Sequence, residues 1–331
     1  MIFRIILSPW PGMNAHKIVN LLAEMGFNSI GIMVKPVDGV PIVDSSFFGG
    51  KDDGTLTDVL KAARQNEMEV VAKLSVMCDI RLCVERPDLV SFARNSAPLI
   101  HPYVDLDWYG FICPTREEVR SRYLKLIEDI VLKYDIDALN LDYVGFAFAE
   151  GDGRRILACY CPHCRDEFKA ETGKDPIELS QLSDPWVDWR TSKITANLRS
   201  FAKAANRNSV RFEICQDQDS TVENRLFNMY RRALGIDLNS VPSLVDHYVP
   251  RAAHSGIQLF SRQLKHFRDA HRTRLLPEIP KTAISRPEDM LGFLRGAQFA
   301  GCDGLALQGF GSQSQSYRLE TLRSISQLVD L

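Results

Sequence analysis

The 331-residue sequence predicts an α/β protein built as a closed (β/α)8 barrel, and three observations support that fold class. Short apolar, β-rich segments alternate with amphipathic segments along the whole chain, which is typical of a parallel sheet. There are eight such units, the number that closes a TIM barrel. The alternative is an open, doubly wound sheet, which would need a glycine-rich phosphate turn after its first strand. The segment SPWPGMNAH in that place is not such a turn.

The first half of the chain carries four predicted strands and their helices. The strands are FRIILS, NSIGIMV, EVVAKLSV and DALNLDY, at residues 3–8, 28–34, 69–76 and 137–143. The first helix has apolar residues at helical spacing, with Asn14 as a plausible N-cap and Gly26 just past its end. Thr115 and Glu118 match a capping box at the start of the third helix. The predicted helices are residues 15–25, 55–67, 115–134, 162–172 and 189–206.

The second half repeats the pattern four more times. The strands are SVRFEICQ, SLVDHYV, RLLPEI and GLALQGF, at residues 209–216, 243–249, 274–279 and 304–310. Helices are predicted at residues 221–234, 257–270, 286–300 and 316–329. Long loops follow the second and third strands, at residues 35–53 and 77–114. With no evident linker or repeat, the sequence predicts a single barrel domain over residues 1–331.

Composition and charge exclude several classes of function. The formal net charge of −2 gives no reason to expect nucleic acid as a partner. No apolar run approaches the ~18–20 residues of a membrane span, and the N-terminus does not resemble a signal peptide. We therefore expect a soluble, cytoplasmic protein, which could form a homo-oligomer.

Carboxylates at two predicted strand ends indicate which kind of reaction the protein could catalyse. The active site of a TIM barrel lies at the carboxyl ends of its strands. Asp142 ends the fourth strand and Glu278 the seventh. Two facing carboxylates are what glycosidic cleavage needs, because one protonates the leaving oxygen and the other attacks or activates water. The competing interpretation is that these carboxylates are paired with lysine, arginine or backbone amides.

Other polar and aromatic residues are predicted at the same face as substrate contacts. Glu213 is ambiguous, because Lys73 could neutralise it as an internal ion pair. His247 and Tyr248 could bind a sugar hydroxyl or form a satisfied buried pair, and aromatic rings could stack on a sugar. The predicted substrate contacts are Trp10, Lys35, Trp108, Tyr109, Asn140, Tyr143, Glu213, Asp217, His247, Tyr248 and Gln308.

Three of the eight cysteines lie within six residues, in CYCPHC. Cys159, Cys161 and Cys164 could close around one Zn²⁺, leaving a fourth position to fill. Cys113 is the first candidate for that position and His163 the second. A site with four closed ligands is structural, because a catalytic zinc keeps an open position. The sequence thus predicts a structural zinc.

The motifs ICPT-x-EEVR, a strand ending in LDY, CYCPHCRDEF and DWR occur in that order. This order resembles glycoside-hydrolase-like TIM barrels related to the family 42 β-galactosidases. In family 42 a cysteine in a short CP segment joins a later CxCxxC to bind structural zinc. The resemblance therefore implies the ligand set Cys113, Cys159, Cys161 and Cys164. Family 42 enzymes have an Asn-Glu pair after the fourth strand, where this chain has Leu141-Asp142-Tyr143, and their further domains have no counterpart here.

Three functions are compatible with these features. The first is a retaining glycoside hydrolase acting on an oligosaccharide or glycoconjugate, with Asp142 as acid/base and Glu278 as nucleophile. The second is a non-catalytic carbohydrate-binding barrel with a structural zinc. The third is a zinc-dependent hydrolase, which is disfavoured because metal-dependent barrels usually have histidine pairs at strand ends. A carboxyl separation of about 5–5.5 Å would favour a retaining enzyme, and roughly 6.5–9.5 Å an inverting one.

Overall fold

Eight parallel strands form a closed barrel in the computed structural model, which confirms the predicted fold class. The structure describes residues 1–10, 12–100, 109–151, 154–218, 230–252, 257–271, 273–284, 286, 288–310 and 318–329. The barrel strands are β1 (Ile2–Leu7), β2 (Ser29–Lys35), β3 (Glu69–Ser75), β4 (Ala138–Asp142), β7 (Arg211–Gln218), β8 (His247–Ala252), β9 (Glu278–Pro280) and β10 (Gly304–Phe310). Their order around the barrel is β1-β10-β9-β8-β7-β4-β3-β2. Closure follows because β1 pairs with both β2 and β10.

Helices cover the outside of the barrel. They are α1 (Ala15–Glu24), α2 (Thr55–Gln65), α3 (Ile80–Glu85), α4 (Glu117–Lys133), α5 (Pro162–Thr172), α6 (Asp184–Asn206), α7 (Ile257–His271), α8 (Asp289–Phe299) and α9 (Leu319–Val329). In α1 the predicted cap is present, since Asn14 accepts from Lys17 N at 2.9 Å. That helix buries Val19 and Leu22, the apolar positions whose helical spacing predicted it. Within the described residues, no helix is long and apolar enough to cross a membrane.

The strands are buried on both faces, as expected for a parallel sheet covered by helices. Ile30, Ile32 and Leu139 belong to the apolar core, whereas Lys73 and Glu213 are equally buried charged residues. Across the barrel interior Glu213 pairs with Arg4, and Lys73 pairs with Glu278. The interior therefore contains an ionic centre, and that centre positions the candidate site.

Two predictions about local structure were wrong. The seventh strand is only three residues long, because Pro277 has no N–H to donate and Leu275 makes a single bridge to Tyr248 instead. The capping box at the start of α4 is also absent, since Arg116 occupies the N-cap position without a side-chain hydrogen bond. The Thr115 hydroxyl instead lies 3.2 Å from the sulfur atoms of Cys113 and Cys164.

Two connections beside the site, the segment 77–114 and the chain after β4, contain secondary structure that the sequence did not predict. The segment 77–114 contains α3, a 3₁₀ turn at Pro87–Leu89 and several isolated bridges, among them Cys78 to Phe111. After β4 the chain forms an antiparallel hairpin, β5 (Phe148–Gly151) and β6 (Arg154–Leu157), which the sequence analysis missed. Of the predicted helix at residues 221–234, only Tyr230–Leu234 is described, as one π-helical turn.

Candidate active site and cysteine cluster

Asp142 and Glu278 lie inside the barrel and share the same two cations. Lys73 Nζ is 2.6 Å from Glu278 Oε2 and 3.5 Å from Asp142 Oδ2. Arg251 Nε donates to Glu278 Oε1 at 3.0 Å, and its Nη2 donates to Asp142 Oδ2. All four side chains are more than nine-tenths buried. Asp142 and Glu278 are therefore ion-paired in this structure, as the competing interpretation expected.

Their common contact with Lys73 limits how far apart the two carboxylates can lie. Asp142 Oδ2 and Glu278 Oε2 are no farther apart than the two Lys73 distances, 3.5 Å and 2.6 Å, laid end to end. This limit applies to one pair of oxygens, and it is compatible with the ~5–5.5 Å between the carboxyl groups of retaining glycosidases.

The cations determine the protonation state of Glu278. Burial alone would raise the pKa of this carboxyl, but Lys73 and Arg251 outweigh burial and lower the pKa to about 2. Glu278 is therefore an anion at neutral pH. The Cys215 thiol completes the centre, 3.2 Å from Arg251 Nη2 and 3.5 Å from Lys73 Nζ, and burial raises its pKa well above the usual range. Cys215 is therefore a neutral thiol.

The strand register places Arg251 level with Glu278 and beyond the level of Asp142. Asp142 is level with Cys215, and Cys215 with Val249. Arg251 lies two residues beyond Val249 on the same strand, toward the carboxyl end. The sequence analysis missed Arg251 because the predicted sixth strand stopped at residue 249, although Arg251 shares the parity of the interior residue His247.

A second ionic group lies deeper in the barrel and corrects the predicted pairing of Lys73 with Glu213. The partner of Glu213 is Arg4, whose Nη1 donates to Oε2 at 2.6 Å and whose Nη2 donates to Oε1 at 3.0 Å. Asn140 Nδ2 also donates to Glu213 Oε2 at 3.0 Å, and His247 Nδ1 lies 3.4 Å from Oε1. Asn140, Glu213 and His247, all predicted substrate contacts, are thus brought together in a buried network.

Lys35 and Tyr248 are also buried, each against other partners. Lys35 is fully buried, 3.1 Å from Asp79 Oδ2, and burial lowers its pKa against the opposing effect of Asp79. Tyr248 stacks on Phe267 of α7 with ring centroids 4.6 Å apart, in the layer between strand and helix. Their contact with substrate stays a prediction that this geometry does not favour.

Aromatic residues lie beside Asp142. The Tyr143 backbone N–H donates to Asp142 Oδ1 at 3.0 Å, and the Tyr143 ring lies 5.9 Å from that of Tyr109. Tyr143 has a φ of 53°, a left-handed conformation that is uncommon for a bulky residue. Backbone strain of this kind clusters at functional sites. Both rings are partly exposed, as a sugar platform would have to be.

The remaining predicted contacts lie on other strands and loops of the barrel. The partly exposed Trp10 packs edge-on against Phe310 at 6.1 Å. Gln308 is partly exposed on β10, level with Pro280 of β9. Asp217 is level with Arg251 in the strand register, but its side chain lies outside the described part of the structure. Trp108 lies outside the described residues altogether.

The four predicted cysteine ligands form a compact buried group. The sulfur atoms of Cys113, Cys159, Cys161 and Cys164 all lie within 4.8 Å of one another. Cys113 is 3.4 Å from Cys164 and 3.6 Å from Cys161. Tetrahedral coordination with Zn–S bonds of ~2.3 Å requires sulfur–sulfur distances of about 3.8 Å. The group could therefore hold a metal ion.

The surroundings of the cysteines also suit thiolates. Cys159 Sγ accepts from the backbone N–H groups of Phe92 and Cys161, each at 3.4 Å. Burial raises the pKa of Cys113 and Cys164, whereas hydrogen bonds from the other three cysteines lower the pKa of Cys161. The other candidate for the fourth position, His163, lies 3.4 Å from Glu167 Oε2 and is not part of the cluster.

Comparison with solved structures finds the same fold in several proteins. The glycoside hydrolase domain of PgaB (BpsB) from Bordetella bronchiseptica is 11% identical with a TM-score of 0.69, and 98% of each chain is covered. A β-galactosidase from the psychrophilic Marinomonas ef1 is 9% identical with a TM-score of 0.70, over 100% of this chain and 60% of that one. An α-L-fucosidase isoenzyme from Paenibacillus thiaminolyticus is 15% identical with a TM-score of 0.65. The chain spans 49% of that fucosidase, and at these identities the likeness shows the fold alone.

The sequence itself matches a protein family over more than half of the chain. Among curated proteins, none matches the chain. The family described as "Glycosyl hydrolase-like 10" matches residues 10–216, which include β2, β3, β4, the four clustered cysteines and Glu213. The chain belongs to the glycosyl hydrolase-like 10 family.

Proposed function

We propose that this protein is a retaining glycoside hydrolase acting on an oligosaccharide or glycoconjugate. The observation that carries the proposal is the pair of buried carboxylates, Asp142 and Glu278, held together by Lys73 inside the barrel. The limit on the distance between their two oxygens that contact Lys73 is compatible with a retaining mechanism. The family and the fold support the same class of activity.

The proposed roles are Glu278 as nucleophile and Asp142 as acid/base. Glu278, ionised at neutral pH, attacks the anomeric carbon and forms the glycosyl-enzyme. Asp142, in its protonated form, gives its proton to the glycosidic oxygen as the bond to the leaving group breaks. As a carboxylate, Asp142 then takes a proton from the water that attacks the anomeric carbon. This second step releases the sugar with retained configuration and restores both groups.

The substrate would bind at the mouth, where Tyr109 and Tyr143 form a partly exposed aromatic pair beside Asp142. Sugar rings have apolar faces that stack on such side chains. Trp10 and Gln308 are further proposed contacts. We also propose that Cys113, Cys159, Cys161 and Cys164 bind a structural zinc, which would hold the hairpin β5–β6 and the segment 77–114 beside the site.

The experiment compares Asp142→Asn and Glu278→Gln with wild type on a panel of aryl glycosides. Each change should lower kcat by roughly 10²–10⁴ or more. Azide should accelerate Asp142→Asn on an activated aryl glycoside and give a glycosyl azide of retained configuration, whereas Glu278→Gln should give the inverted azide. Glu24→Gln, an exposed carboxylate on α1, is the matched control and should keep full activity. Wild-type rates in both site variants would refute the assignment.

A second candidate, non-catalytic carbohydrate binding, is favoured by one specific observation. Both carboxylates are already ion-paired with Lys73 and Arg251, so the resting centre resembles a closed ionic network. This alternative predicts that oligosaccharides bind but no glycoside is cleaved. Calorimetry on the same panel, with a rate measurement for each compound, distinguishes the two functions.

A further inference from the structure

The buried ammonium group of Lys73 makes unequal contacts with the two carboxylates. Lys73 lies on β3 and reaches across the barrel to Glu278 on β9, four strands away in the barrel order. It donates a hydrogen bond to Glu278 Oε2 at 2.6 Å. To Asp142 it makes only a charge contact at 3.5 Å, beyond the usual range for an N–H···O bond.

Arg251, the other cation, does not make this distinction. Its guanidinium donates to both carboxylates, through Nε to Glu278 Oε1 and through Nη2 to Asp142 Oδ2. Lys73 is thus the cation that hydrogen-bonds Glu278 but not Asp142. The described charged and titratable groups that face Lys73 are Asp142 on β4, Cys215 on β7, Arg251 on β8 and Glu278 on β9.

A lysine in this place has no evident role in neutralising the deeper part of the barrel. Glu213 is neutralised by Arg4 with two hydrogen bonds, so Lys73 is not needed there. Taking an ammonium group out of water is costly unless it is well paired. Burial lowers the pKa of Lys73, but the neighbouring acidic groups Cys215, Glu278 and Asp142 outweigh burial and raise it above its usual value. Lys73 is therefore a fixed cation and cannot serve as a base.

We propose that Lys73 is the positioning residue that assigns the two catalytic roles, by hydrogen-bonding Glu278 and not Asp142. The proposal rests on the proposed glycosidase function for its catalytic meaning. Its structural part, the control of Glu278 by Lys73, can be measured whether or not the protein cleaves a glycoside.

The first measurement is the titration of Glu278 by carbon NMR on glutamate-labelled protein. The signal is assigned by comparison with Glu278→Gln. In Lys73→Met the pKa of Glu278 should rise by about 1–3 units, the range expected when a carboxylate loses an adjacent cation. Lys73→Gln removes the same charge but keeps a polar group, and provides the same test if the methionine variant does not fold. A Glu278 pKa within a few tenths of wild type in the folded variant would overturn the proposal.

The second measurement is the pH dependence of kcat/KM on the best aryl glycoside. The acidic limb reports ionisation of the nucleophile in the free enzyme. In the Lys73 variants this limb should move upward by the same 1–3 units as the NMR titration. A lysine that is merely structural would lower the rate equally at every pH, and that result would overturn the proposal.

The two hypotheses fail in different ways. If wild type cleaves no glycoside but Lys73→Met shifts the Glu278 titration, the proposed function fails while the control of Glu278 by Lys73 stands. If wild type is active and the titration does not move, the inference about Lys73 fails alone. Arg199→Met, which removes an exposed cation from the outer helix α6, is the matched control and should change neither measurement.

Discussion

Replacing Arg4 with methionine should strongly destabilise the barrel, because it leaves Glu213 as a buried charge without its cation. Arg4 is 1% exposed and Glu213 0%. The change removes both hydrogen bonds from the guanidinium to Glu213, at 2.6 and 3.0 Å, and leaves Asn140 and His247 as the remaining described contacts. Breaking a buried ion pair by removing one partner costs about 3–5 kcal/mol. Methionine approximates the volume of the arginine stem, so little of this cost comes from a cavity.

Two comparison variants separate the charge effect from a general loss of packing. Arg274→Met removes an arginine that is 59% exposed and lies 2.7 Å from Asp303, and surface pairs contribute only about 0–1 kcal/mol. In the double variant Arg4→Met with Glu213→Gln, the orphaned charge is gone. We expect its stability to recover to within about 2 kcal/mol of wild type.

The effect should also depend on pH, with a definite sign. Burial would raise the pKa of Glu213, but Arg4 outweighs it and holds the pKa well below the usual range. A depressed carboxyl pKa contributes stability above the unfolded value of ~4.3 that is lost as pH falls below it. The gap between wild type and Arg4→Met should therefore be larger at pH 7 than at pH 4. Urea unfolding at both pH values measures it. A loss below about 1 kcal/mol, or one that is equal at both pH values, would refute the reasoning.

Three further predictions concern the cysteines, the acid stability and the closure of the barrel. Cys161→Ser should lower the metal content measured by elemental analysis and the thermal midpoint by several degrees; wild type purified without chelator and found metal-free would contradict it. Because the pKa of Glu278 is lowered to about 2, ionised Glu278 should contribute on the order of 3 kcal/mol to stability at neutral pH. This contribution should be lost as pH falls from ~4.3 toward 2. In Glu278→Gln the urea midpoint of unfolding should therefore change less with pH over that range than in wild type. Gly304→Ala would place a Cβ 1.9 Å from Ile2 O and should cost at least about 1–3 kcal/mol in urea unfolding; wild-type stability would show that β1 and β10 can separate cheaply.

Local sequence could predict the helices but not how long some strands would be. Apolar spacing and the Asn14 cap predicted α1 because both signals are contained within a few residues of one another. Strand β9 was overestimated because its length depends on how β8 and β10 meet it on either side of Pro277. The hairpin β5–β6 was missed because four-residue strands carry little periodicity.

The cysteine group could be predicted almost completely, because metal ligands must be close in space and three of them are already close in the chain. CxCxxC restricts three sulfur atoms to one turn at the start of α5. The choice between Cys113 and His163 depended on the fold. Segment 77–114 packs against the residues after β6, and this packing brings Cys113 within 3.4 Å of Cys164.

The sequence by itself determined that the chain is a (β/α)8 barrel and that Asp142 ends one of its strands, because alternation and residue parity are local properties. Glu278, predicted to end the seventh strand, instead begins it. Only the tertiary structure decided how the charges pair. Lys73 and Glu278 are 205 positions apart, and Arg4 and Glu213 are 209 apart. Which cation meets which carboxylate depends on the stagger of strands around a closed barrel and on side chains that reach across its diameter. Neither the stagger of the strands nor these contacts across the barrel can be deduced from the residues that are adjacent in sequence.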